Sequence, residues 1–533
     1  MKSAPDVLQP LLSHLLASGA QARHLSDQLA PVSMILVEAD AWLGVARSAH
    51  ALDFRWVGVW ADDLRTDPTS AATFHVNACF EKTGAYLVAR TTISGDHPAL
   101  ASHTPVYAGA DRPERHVHDL LGIVFQNHPD TRRWCRHQAW SADQFPLRRD
   151  FIQADAIAPT PADHSYNFLL AQGTGVDEIP VGPVHAGIIE PGHFRFQAVG
   201  ETVLRLEERL AYTHKGIEKI AQGRDAAGLA RLAGRVSGDS TVAHTWAACQ
   251  AMERAAGLEL PKRAYHLRAL LCERERIANH LGDMGAMLND IGFAFGAMQF
   301  SRLREIWQRM SHDVFGHRFM MDCIVPGGVA HDLEPRFEAS LRVQADAVRE
   351  QIKRLMAIIN DLPSVTDRVR GAGILQPEHA RALGCLGYVG RASGHSVDVR
   401  RDAPYAPYDQ LEVAVPLHHY GDVNARARVR LEEMAASFDL IEALLDDLPA
   451  GAHNTPWVAP TAECEGLGLV EGWRGEIMTY VRFGADGRLA CFFPRDPSWT
   501  TWPALELLIH DNIVPDFPVC NKSVNGSYSG ADL

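Results

Sequence analysis

The central stretch of the chain is residues 235–281, which open with Arg235-Val236-Ser237-Gly238-Asp239-Ser240 and close with Asn279-His280-Leu281. A polar segment rich in small residues leads into a helical pattern over residues 246–256. Pro261 then ends this helical pattern, and a second run of apolar residues at helical spacing follows it. The stretch therefore predicts two consecutive helices introduced by a polar loop.

Three polar residues lie on the same side of the second helix. Glu273, Arg276 and His280 are three and four residues apart, so their side chains share one stripe beside the apolar face. A carboxylate, a guanidinium and an imidazole need each other or a ligand once they are buried. The spacing predicts either an ion-pair network or a functional site, and it does not choose between them.

Length and charge limit the class of protein. With 533 residues the chain is long enough for two or three domains. Its net charge of −14 argues against a general nucleic-acid-binding protein. No stretch approaches about twenty uninterrupted apolar residues, so we expect no transmembrane helix. The N-terminus is too broken for a signal peptide, and we expect the protein to stay in the cytoplasm.

The nine cysteines are scattered along the chain, and no C-x-x-C pair occurs. An odd, dispersed set is typical of reduced, buried thiols and not of a disulfide framework. It also lacks the local pairing usual for zinc and iron–sulfur ligation. We therefore predict no metal held by this chain's own residues, and we assign any iron–sulfur cluster to a partner.

Two domains are expected. Residues 1–155 predict a mixed α and β domain, with apolar runs at 56–60 and 85–89 that are typical of strands. Residues 156–180 are rich in Ala, Pro, Gly and Asp, which predicts a linker. The second domain would then comprise residues 181–533.

The end of the first domain carries the pattern E-R-x-x-x-D-L-x-G … H-P-D … P-L-R-R-D, from Glu114 to Asp150. This pattern resembles the 30-kDa peripheral-arm subunit of respiratory complex I (NADH dehydrogenase). The same module occurs fused to the large subunits of energy-converting, membrane-bound nickel–iron hydrogenases of the formate hydrogenlyase type. The resemblance implies a fused chain of that kind.

The second domain opens with a segment rich in Gly and Pro, residues 182–196, which predicts a strand, a tight loop and a returning strand. His185, Glu190 and His193 in this loop suit proton chemistry in a cleft, and a surface hairpin explains the pattern equally. The segment resembles the G-P-x-H loop shared by the quinone-site subunit of complex I and the hydrogenase large subunits. That resemblance places Glu190 at a proton-relay position and Ile189 near a quinone-binding histidine, which His193 would replace.

Residues 210–219 resemble the helix start G-Y-x-H-R/K-G-I-E-K of the same family. His214 belongs there to a polar cluster within one helical turn, which a solvated helix face also explains. In the family this element lies beside the subunit that carries an iron–sulfur cluster. We therefore predict His214, together with His193, as a cofactor-binding residue.

The metal ligands of the hydrogenases are largely missing. The hydrogenase large subunits have R-x-C-G-x-C at the segment matching 235–240, where this chain has Ser237 and Ser240, and of D-P-C-x-x-C near the C-terminus only Cys520 remains. Hydroxyls are poor replacements for the soft thiolates of a nickel site. The quinone-binding tyrosine of the complex I subunit is also missing, with Gly238 at about its place. We therefore expect the fold of the hydrogenase large subunits without their nickel–iron centre. We also expect residues 525–530 to form an irregular tail that wraps into the cavity.

Residues 391–408 match the family signature R-x-S-G-x-x-x-D-x-R-x-x-x-P-Y-x-x-Y. Arg391 and Asp398 within it are candidates for polarising a bound head group or gating protons. Buried pairing of an arginine with a carboxylate, which would hold the helical bundle together, explains them equally well.

We expect an α+β protein, in which a mixed N-terminal domain joins a mostly helical domain with a small β platform. The first hypothesis is the core subunit of a membrane-associated oxidoreductase complex on the cytoplasmic face of the cell membrane. It would take electrons from an iron–sulfur small subunit and pass protons to antiporter-like membrane subunits. The residues expected to carry its chemistry are His185, Glu190, Glu273, Arg276, His280, Arg391 and Asp398.

Two alternatives stay open at this point. The cavity would bind and reduce a quinone, as in complex I, although the missing tyrosine counts against this. Otherwise the chain would be a catalytically silent structural subunit, with its cavity filled by side chains and the C-terminal tail. A working hydrogenase is the least favoured, because a centre held by four thiolates does not form from these cysteines.

Overall fold

The computed structural model of the protein describes residues 4–17, 22–25, 29–65, 70–137, 140–151, 166–185 and 189–533. Its combination of helices with several small sheets confirms the expected α+β class. Within these ranges no helix is long and apolar enough to cross a membrane. The expected linker, 156–180, falls partly outside the described residues, and the domain limits stay predictions.

The N-terminal part of the chain folds into a mixed sheet with accompanying helices. Its elements are α1 (Ala4–Ala17), β1 (Ala22–Leu25), β2 (Ser33–Val37), α2 (Trp42–Ala51), β3 (Arg55–Asp63), β4 (Thr73–Lys82), β5 (Ala85–Ser94), β6 (Ala99–Ala101), α3 (Asp111–Leu121) and β7 (Val124–Gln126). The strand order is β1-β2-β5-β4-β3, with β2 and β5 parallel and the other neighbours antiparallel. Strands β3 and β5 confirm the strands expected at 56–60 and 85–89.

The middle of the chain begins with a small sheet and continues into long helices. Its elements are β8 (Asp177–Val181), β9 (His193–Val199), β10 (Thr202–Arg209), α4 (Ile217–Ala221), α5 (Ala226–Ala233), α6 (Thr241–Ala256), α7 (Lys262–Asp290), α8 (Ala294–Phe315), β11 (Ile324–Val325), β12 (Gly328–Val329) and α9 (Pro335–Asn360). Helices α6 and α7 are the two helices expected on either side of Pro261. Strands β8 and β9 pair antiparallel across the loop 182–192, and residues 186–188 of that loop lie outside the description. The returning strand β9 begins within the expected stretch, but the first strand, β8, lies before Gly182, in residues expected to belong mostly to the linker.

The last part of the chain completes the helical bundle and adds a β-hairpin platform. Its elements are α10 (Pro363–Val369), α11 (Pro377–Leu383), α12 (Gly387–Ala392), α13 (Val399–Asp402), α14 (Val423–Asp446), β13 (Cys464–Gly472), β14 (Gly475–Phe483), β15 (Leu489–Arg495), α15 (Ser498–Leu508), α16 (Phe517–Val524) and α17 (Tyr528–Asp532). The prediction of an irregular tail at residues 525–530 is wrong from Tyr528 onward, where a helix begins. Helix α17 forms there because the Ser527 hydroxyl accepts the amide hydrogen of Gly530 at 2.9 Å and caps the helix.

Helix α6 lies directly against strand β13 because two strand residues lack a side chain. A Cβ atom on Gly466 would come within 2.1 Å of the Ala251 carbonyl oxygen, and one on Gly468 within 2.0 Å of the Ala247 carbonyl oxygen. The close contact holds the start of α6, and the polar segment before it, beside the turn that joins β13 to β14. This packing brings together two parts of the candidate site that are far apart in sequence.

The N-terminal sheet packs on the β13–β15 sheet through a buried ion pair and stacked aromatic rings. Glu476 of β14 is fully buried and accepts from Arg55 of β3 at 2.6 Å, and it also accepts from Arg495. Nearby, the Trp60 and Phe493 rings stack with centroids 5.6 Å apart. The contact excludes water from a carboxylate and its guanidinium partners, so neither side tolerates loss of the other.

Replacing Glu476 with alanine should destabilise the protein by about 3–5 kcal/mol, because the buried Arg495 would lose its counter-charge and Arg55 would keep only Glu81 as a partner. Urea denaturation of the full chain measures the change in the free energy of unfolding. The matched control is Glu305→Ala, whose exposed pairs with Arg309 and Arg318 should contribute about 0–1 kcal/mol. Equal effects of the two substitutions would contradict the role given to Glu476.

Candidate functional site

A cavity of about 510 Å³ opens to the surface in the second part of the chain. Three stretches meet there: the loop after β8, the polar segment before α6, and residues 517–529 near the C-terminus. The cavity therefore brings His185 and Glu190 close to residues 237–239. These residues belong to the segment that resembles the thiolate-bearing motif of the hydrogenases. Its described lining includes His185, Ile189, Glu190, Phe194, Ser237, Gly238, Asp239, Asp290, Arg474, Phe517, Lys522, Asn525, Ser527, Tyr528 and Ser529.

An ion pair forms the floor of the cavity. The two terminal nitrogens of Arg474 donate to the two carboxylate oxygens of Asp239 at 2.7 Å each. The Ser237 hydroxyl donates to the same carboxylate at 2.8 Å. Burial alone would raise the pKa of Asp239, but the Arg474 guanidinium outweighs burial and lowers it. The floor is therefore charged but internally balanced.

A pair of hydroxyl groups continues this floor towards the C-terminus. The oxygens of Ser237 and Ser527 lie 2.8 Å apart. Because Ser237 uses its hydrogen on Asp239, Ser527 is the donor in this contact. The result is a directed chain from Ser527 to Ser237 to Asp239, built at the segment where a hydrogenase large subunit would have thiolates.

Ionisable groups surround the opening of the cavity. Burial lowers the pKa of His185, and its Nε2 atom has no hydrogen-bond partner among the described residues. Glu190 is exposed, and its carboxylate accepts the Ser529 amide hydrogen at 3.1 Å. Lys522 places its ammonium 3.4 Å from the side-chain oxygen of Asn525. The opening thus combines a carboxylate, an uncommitted imidazole nitrogen and an ammonium.

A second cluster lies in the helical bundle, centred on the buried carboxylate of Glu273. Arg400 donates to it at 2.9 and 3.1 Å, and Arg276 donates at 3.1 Å. The hydroxyls of Tyr408 and Ser437 add donors at 2.6 Å each. Burial acts to raise the pKa of Glu273, but the two guanidinium groups outweigh it and lower the pKa to about 2.

Arg391 joins three more carboxylates to the same cluster. It donates to Glu433 at 2.5 and 2.9 Å and to Glu471 at 3.0 Å, and it lies 3.4 Å from Asp398. His280 donates through Nε2 to the other oxygen of Glu433 at 2.7 Å. Burial lowers the pKa of His280, which favours the neutral imidazole.

The five bundle residues expected from sequence therefore meet in one place, together with three further residues. We call the whole set the buried network: Glu273, Arg276, His280, Arg391, Asp398, Arg400, Glu433 and Glu471. For these five residues the sequence left two interpretations open, ion pairing and a functional role. The structure contains the ion-pair network. Their chemical roles stay predictions. Sequence reasoning missed Glu433, Glu471 and Arg400 as members, and only their positions within family motifs could have indicated them.

A line of hydrogen bonds connects the cavity with the bundle. Arg474 donates through Nε to the Asn525 carbonyl oxygen at 2.7 Å. The Asn525 side chain donates to Asp283 at 2.7 Å, and Arg430 donates to the other oxygen of Asp283 at 3.0 Å. Cavity floor and bundle helices are thus held in a fixed relation.

The two residues expected to bind a cofactor, His193 and His214, lie outside the described lining of the cavity. His193 donates through Nδ1 to the Gly182 carbonyl oxygen at 3.2 Å and accepts from Arg195 at 3.1 Å, so both ring nitrogens are engaged. His214 donates to the carbonyl oxygen of Asp532 at 2.6 Å. Both histidines hold backbone segments in place, and a cofactor role for them stays a prediction.

The donors around the cavity do not fit a nickel–iron centre held by thiolates. No described lining residue is a cysteine, and hydroxyls and carboxylates suit harder cations than nickel. Cys520 is fully buried on α16 and is not among the described lining residues, and burial raises its pKa to about 12. In the described part of the chain, no group of three His, Cys, Asp or Glu residues converges as a metal site.

Three protein-family models match the chain. The 30-kDa subunit of the respiratory-chain NADH dehydrogenase matches residues 35–156, the nickel-dependent hydrogenases match 215–282, and the 49-kDa subunit of the NADH dehydrogenase matches 290–463. This succession defines the class of protein, a fused subunit that joins the 30-kDa type to a large domain of the 49-kDa and hydrogenase type.

Individual relatives narrow the class. Formate hydrogenlyase subunit 5 of Escherichia coli K12 is 31% identical over 481 residues, which cover 90% of this chain and 84% of that protein. The C/D component of the NADH-quinone oxidoreductase of Phocaeicola vulgatus is 29% identical, and the match covers 75% of this chain and 80% of that protein. The chain belongs to the family that unites these large subunits of membrane respiratory complexes.

A solved structure shares the fold. A chain of the archaeal membrane-bound sulfane sulfur reductase superposes with a TM-score of 0.63 at 23% identity, covering 67% of this chain and 99% of that chain. At this identity the likeness concerns the fold alone.

Glu273→Gln should destabilise the protein at pH 7 by about 3–5 kcal/mol, because Arg276 and Arg400 would lose a buried counter-charge. The folded-state pKa of Glu273 is lowered from 4.5 to about 2, so its stabilisation is present above pH 4.5 and is lost as the pH falls towards 2. The variant should therefore lose less stability than the wild type over that interval. Denaturation series at several pH values measure both effects, and parallel curves would contradict the assignment.

Proposed function

We propose that this chain is the core subunit of a membrane-associated oxidoreductase complex and couples electron transfer to proton or ion translocation. Electrons would come from an iron–sulfur cluster in a partner small subunit, and antiporter-like membrane subunits would move the ions. The chain would lie peripherally on the cytoplasmic face of the cell membrane and would have no nickel–iron centre of its own. The names of its relatives, a formate hydrogenlyase and an NADH-quinone oxidoreductase, support the redox class.

The observation that carries the proposal is the floor of the cavity. The carboxylate of Asp239 is satisfied by Arg474 and Ser237, and Asp239 and Ser237 occupy the segment that supplies thiolates in hydrogenases. A cation bound there would have to displace Arg474 from a bidentate pair, which is among the strongest hydrogen-bonded contacts in proteins. The floor therefore opposes metal binding at this position, and we assign the proton chemistry to the groups at the opening of the cavity, Glu190 and His185.

The open cavity favours an active site over a silent structural subunit, because about 510 Å³ remain free beside the C-terminal tail. Quinone reduction is the second candidate. The rings of Phe194, Phe517 and Tyr528 give the cavity an apolar wall, and the Nε2 of His185, unpartnered among the described residues, is a group that a quinone oxygen would satisfy. Such a ligand would bind between that wall and the Asp239–Arg474 floor.

Glu190→Gln tests the proposal in vesicles that contain the complex, with reduced methyl viologen as an artificial electron donor and a water-soluble quinone as the electron acceptor. Glu190 is exposed at the opening, so the amide should not disturb folding, but it no longer accepts a proton. We expect electron-driven ion uptake to fall at least about tenfold, as for loss of a proton-transfer group.

Glu201→Gln is the matched control, because Glu201 is exposed in the turn between β9 and β10, away from the cavity lining. Its uptake should equal that of the wild type. Unchanged turnover and uptake in Glu190→Gln would refute the proton role. Hydrogen evolution from reduced viologen by the purified complex would refute the absence of a nickel–iron centre.

A further inference from the structure

Resting on the proton coupling proposed above, we propose that Glu471 is the residue of the buried network that exchanges a proton. Its path to water is a crevice between the N-terminal part of the chain and residues 395–402. The step is a simple transfer: the Glu471 carboxylate takes one proton from water in the crevice and later returns it.

The charges of the buried network do not balance. Its four carboxylates face three guanidinium groups, and the imidazole of His280 is neutral, since burial lowers its pKa. All eight side chains are almost completely shielded from solvent, so solvation does not offset the surplus negative charge. One carboxyl group of the network therefore holds a proton more readily than an isolated carboxyl would. The four carboxylates are Glu273, Asp398, Glu433 and Glu471.

Glu471 is the carboxylate of the network with the weakest set of donors. Glu433 receives two bonds from Arg391 and one from His280, whereas Glu471 receives a single bond from Arg391 at 3.0 Å. The nitrogen that makes this bond also donates to the Val397 carbonyl oxygen at 2.9 Å. The other oxygen of Glu471 accepts, among the described residues, only the Val399 amide hydrogen, at 3.2 Å.

The remaining carboxylates are held far better. Asp398 accepts from Arg400 at 2.7 and 3.0 Å and also accepts the Arg400 amide hydrogen at 3.0 Å. Glu273 has four donor side chains. Since hydrogen bonds to a carboxylate stabilise its charged form, the proton settles on the carboxylate that has the fewest.

Groups from several elements set the affinity of Glu471 for this proton. Burial and the neighbouring Asp398 raise the pKa of Glu471. Arg391, Arg400 and Arg276 lower it, and the resulting pKa is about 7. The titratable and charged groups that face Glu471 are Cys272 and Arg276 of α7, Arg391 of α12, Asp398 and Arg400 at α13, Tyr405, and Glu433 of α14 through Arg391.

A crevice of about 1080 Å³ reaches the other side of this cluster. Ser396, Val397 and Asp402 line one wall of it. The carbonyl of Val397 accepts from Arg391, and the carboxylate of Asp402 accepts the amide hydrogen of Asp398 at 2.9 Å. A single thickness of backbone thus separates the crevice from the buried network.

The N-terminal part of the chain supplies the opposite wall of the crevice, with Arg55, Glu81 and Lys82. The turn after β4 packs against the end of α13: Gly84 has a φ of +82°, and a Cβ atom there would come within 1.8 Å of the Asp402 carbonyl oxygen. The N-terminal part therefore shapes the route by which water reaches the segment around Glu471.

Infrared difference spectroscopy of the full chain tests the assignment of the proton. The carbonyl stretching band of a buried, protonated carboxyl group should disappear with a midpoint near pH 7, and Glu471→Gln should remove that band. Glu275→Gln is the matched control: Glu275 is a buried carboxyl whose pKa burial raises to about 8, and it accepts from two backbone amides outside the network. Loss of the same band in both variants, or in neither, would overturn the assignment.

Stability against pH gives a second, independent measurement. The folded-state pKa of Glu471 is raised above 4.5, so folding takes up a proton and wild-type stability falls as the pH rises from 4.5 to about 7. Glutamine resembles the protonated form. Glu471→Gln should therefore match the wild type near pH 4.5 and unfold at a higher denaturant concentration at pH 8. A variant less stable than the wild type at pH 8 would contradict the proposal.

Blocking the crevice tests the route. Cys464 is the partly exposed cysteine, so the labelling is done in a chain that carries Cys464→Ser. In that chain, a bulky maleimide attached to Ser396→Cys should slow deuterium exchange of the Glu471 band at least about tenfold. The control is Val343→Cys, at a side chain that is 69% exposed on α9. Equal exchange rates would overturn the crevice as the path. If Glu471 behaves as expected and ion uptake does not depend on Glu190, the function proposed for the complex fails while this assignment stands.

Discussion

Pairing between buried guanidinium groups and carboxylates holds the helical part of this chain in its arrangement. Charged side chains from α7, α12, α13, α14 and β13 meet at one centre, and none of the network residues is more than 2% exposed. Removing such charges from water costs several kcal/mol per ion, so each group is tolerated only while its partners stay in register. Each element of the bundle is therefore positioned by the others, and a shift of one would leave an uncompensated charge in another.

The cavity depends on the same arrangement. Glu471 belongs to the buried network, and Arg474, three residues later in the same hairpin, forms the floor of the cavity with Asp239. The close packing of α6 on Gly466 and Gly468 brings Asp239 to that hairpin. A proton change at Glu471 and a change of ligand at the floor would thus act on one short piece of chain, which is the physical basis for coupling between the two sites.

Local patterns in the sequence were sufficient for much of the fold. Helical spacing placed Glu273 and Arg276 on one side of a helix, and alternation identified the strand that follows the loop 182–192, because both signals arise from neighbouring residues. The partners of these side chains could not be found that way. Arg400 lies 127 residues from Glu273 and Glu433 lies 153 residues from His280, and no periodicity links such distances. The poor hydrogen bonding of Glu471 emerges only when the donors around it are counted in three dimensions.

The contacts made by the serines at the hydrogenase thiolate positions could not be predicted from the sequence either. The sequence revealed that serines replace thiolates, but not that Ser237 contacts Ser527, 290 residues away, or that Arg474 neutralises Asp239. The most direct test of a redox-complex core without its own nickel–iron centre is the nickel and iron content of the complex, purified from native membranes and freed of loosely bound metal. We expect iron from partner-borne clusters and no stoichiometric nickel. One nickel per complex would contradict the function proposed here and would require a metal site with ligands other than cysteine.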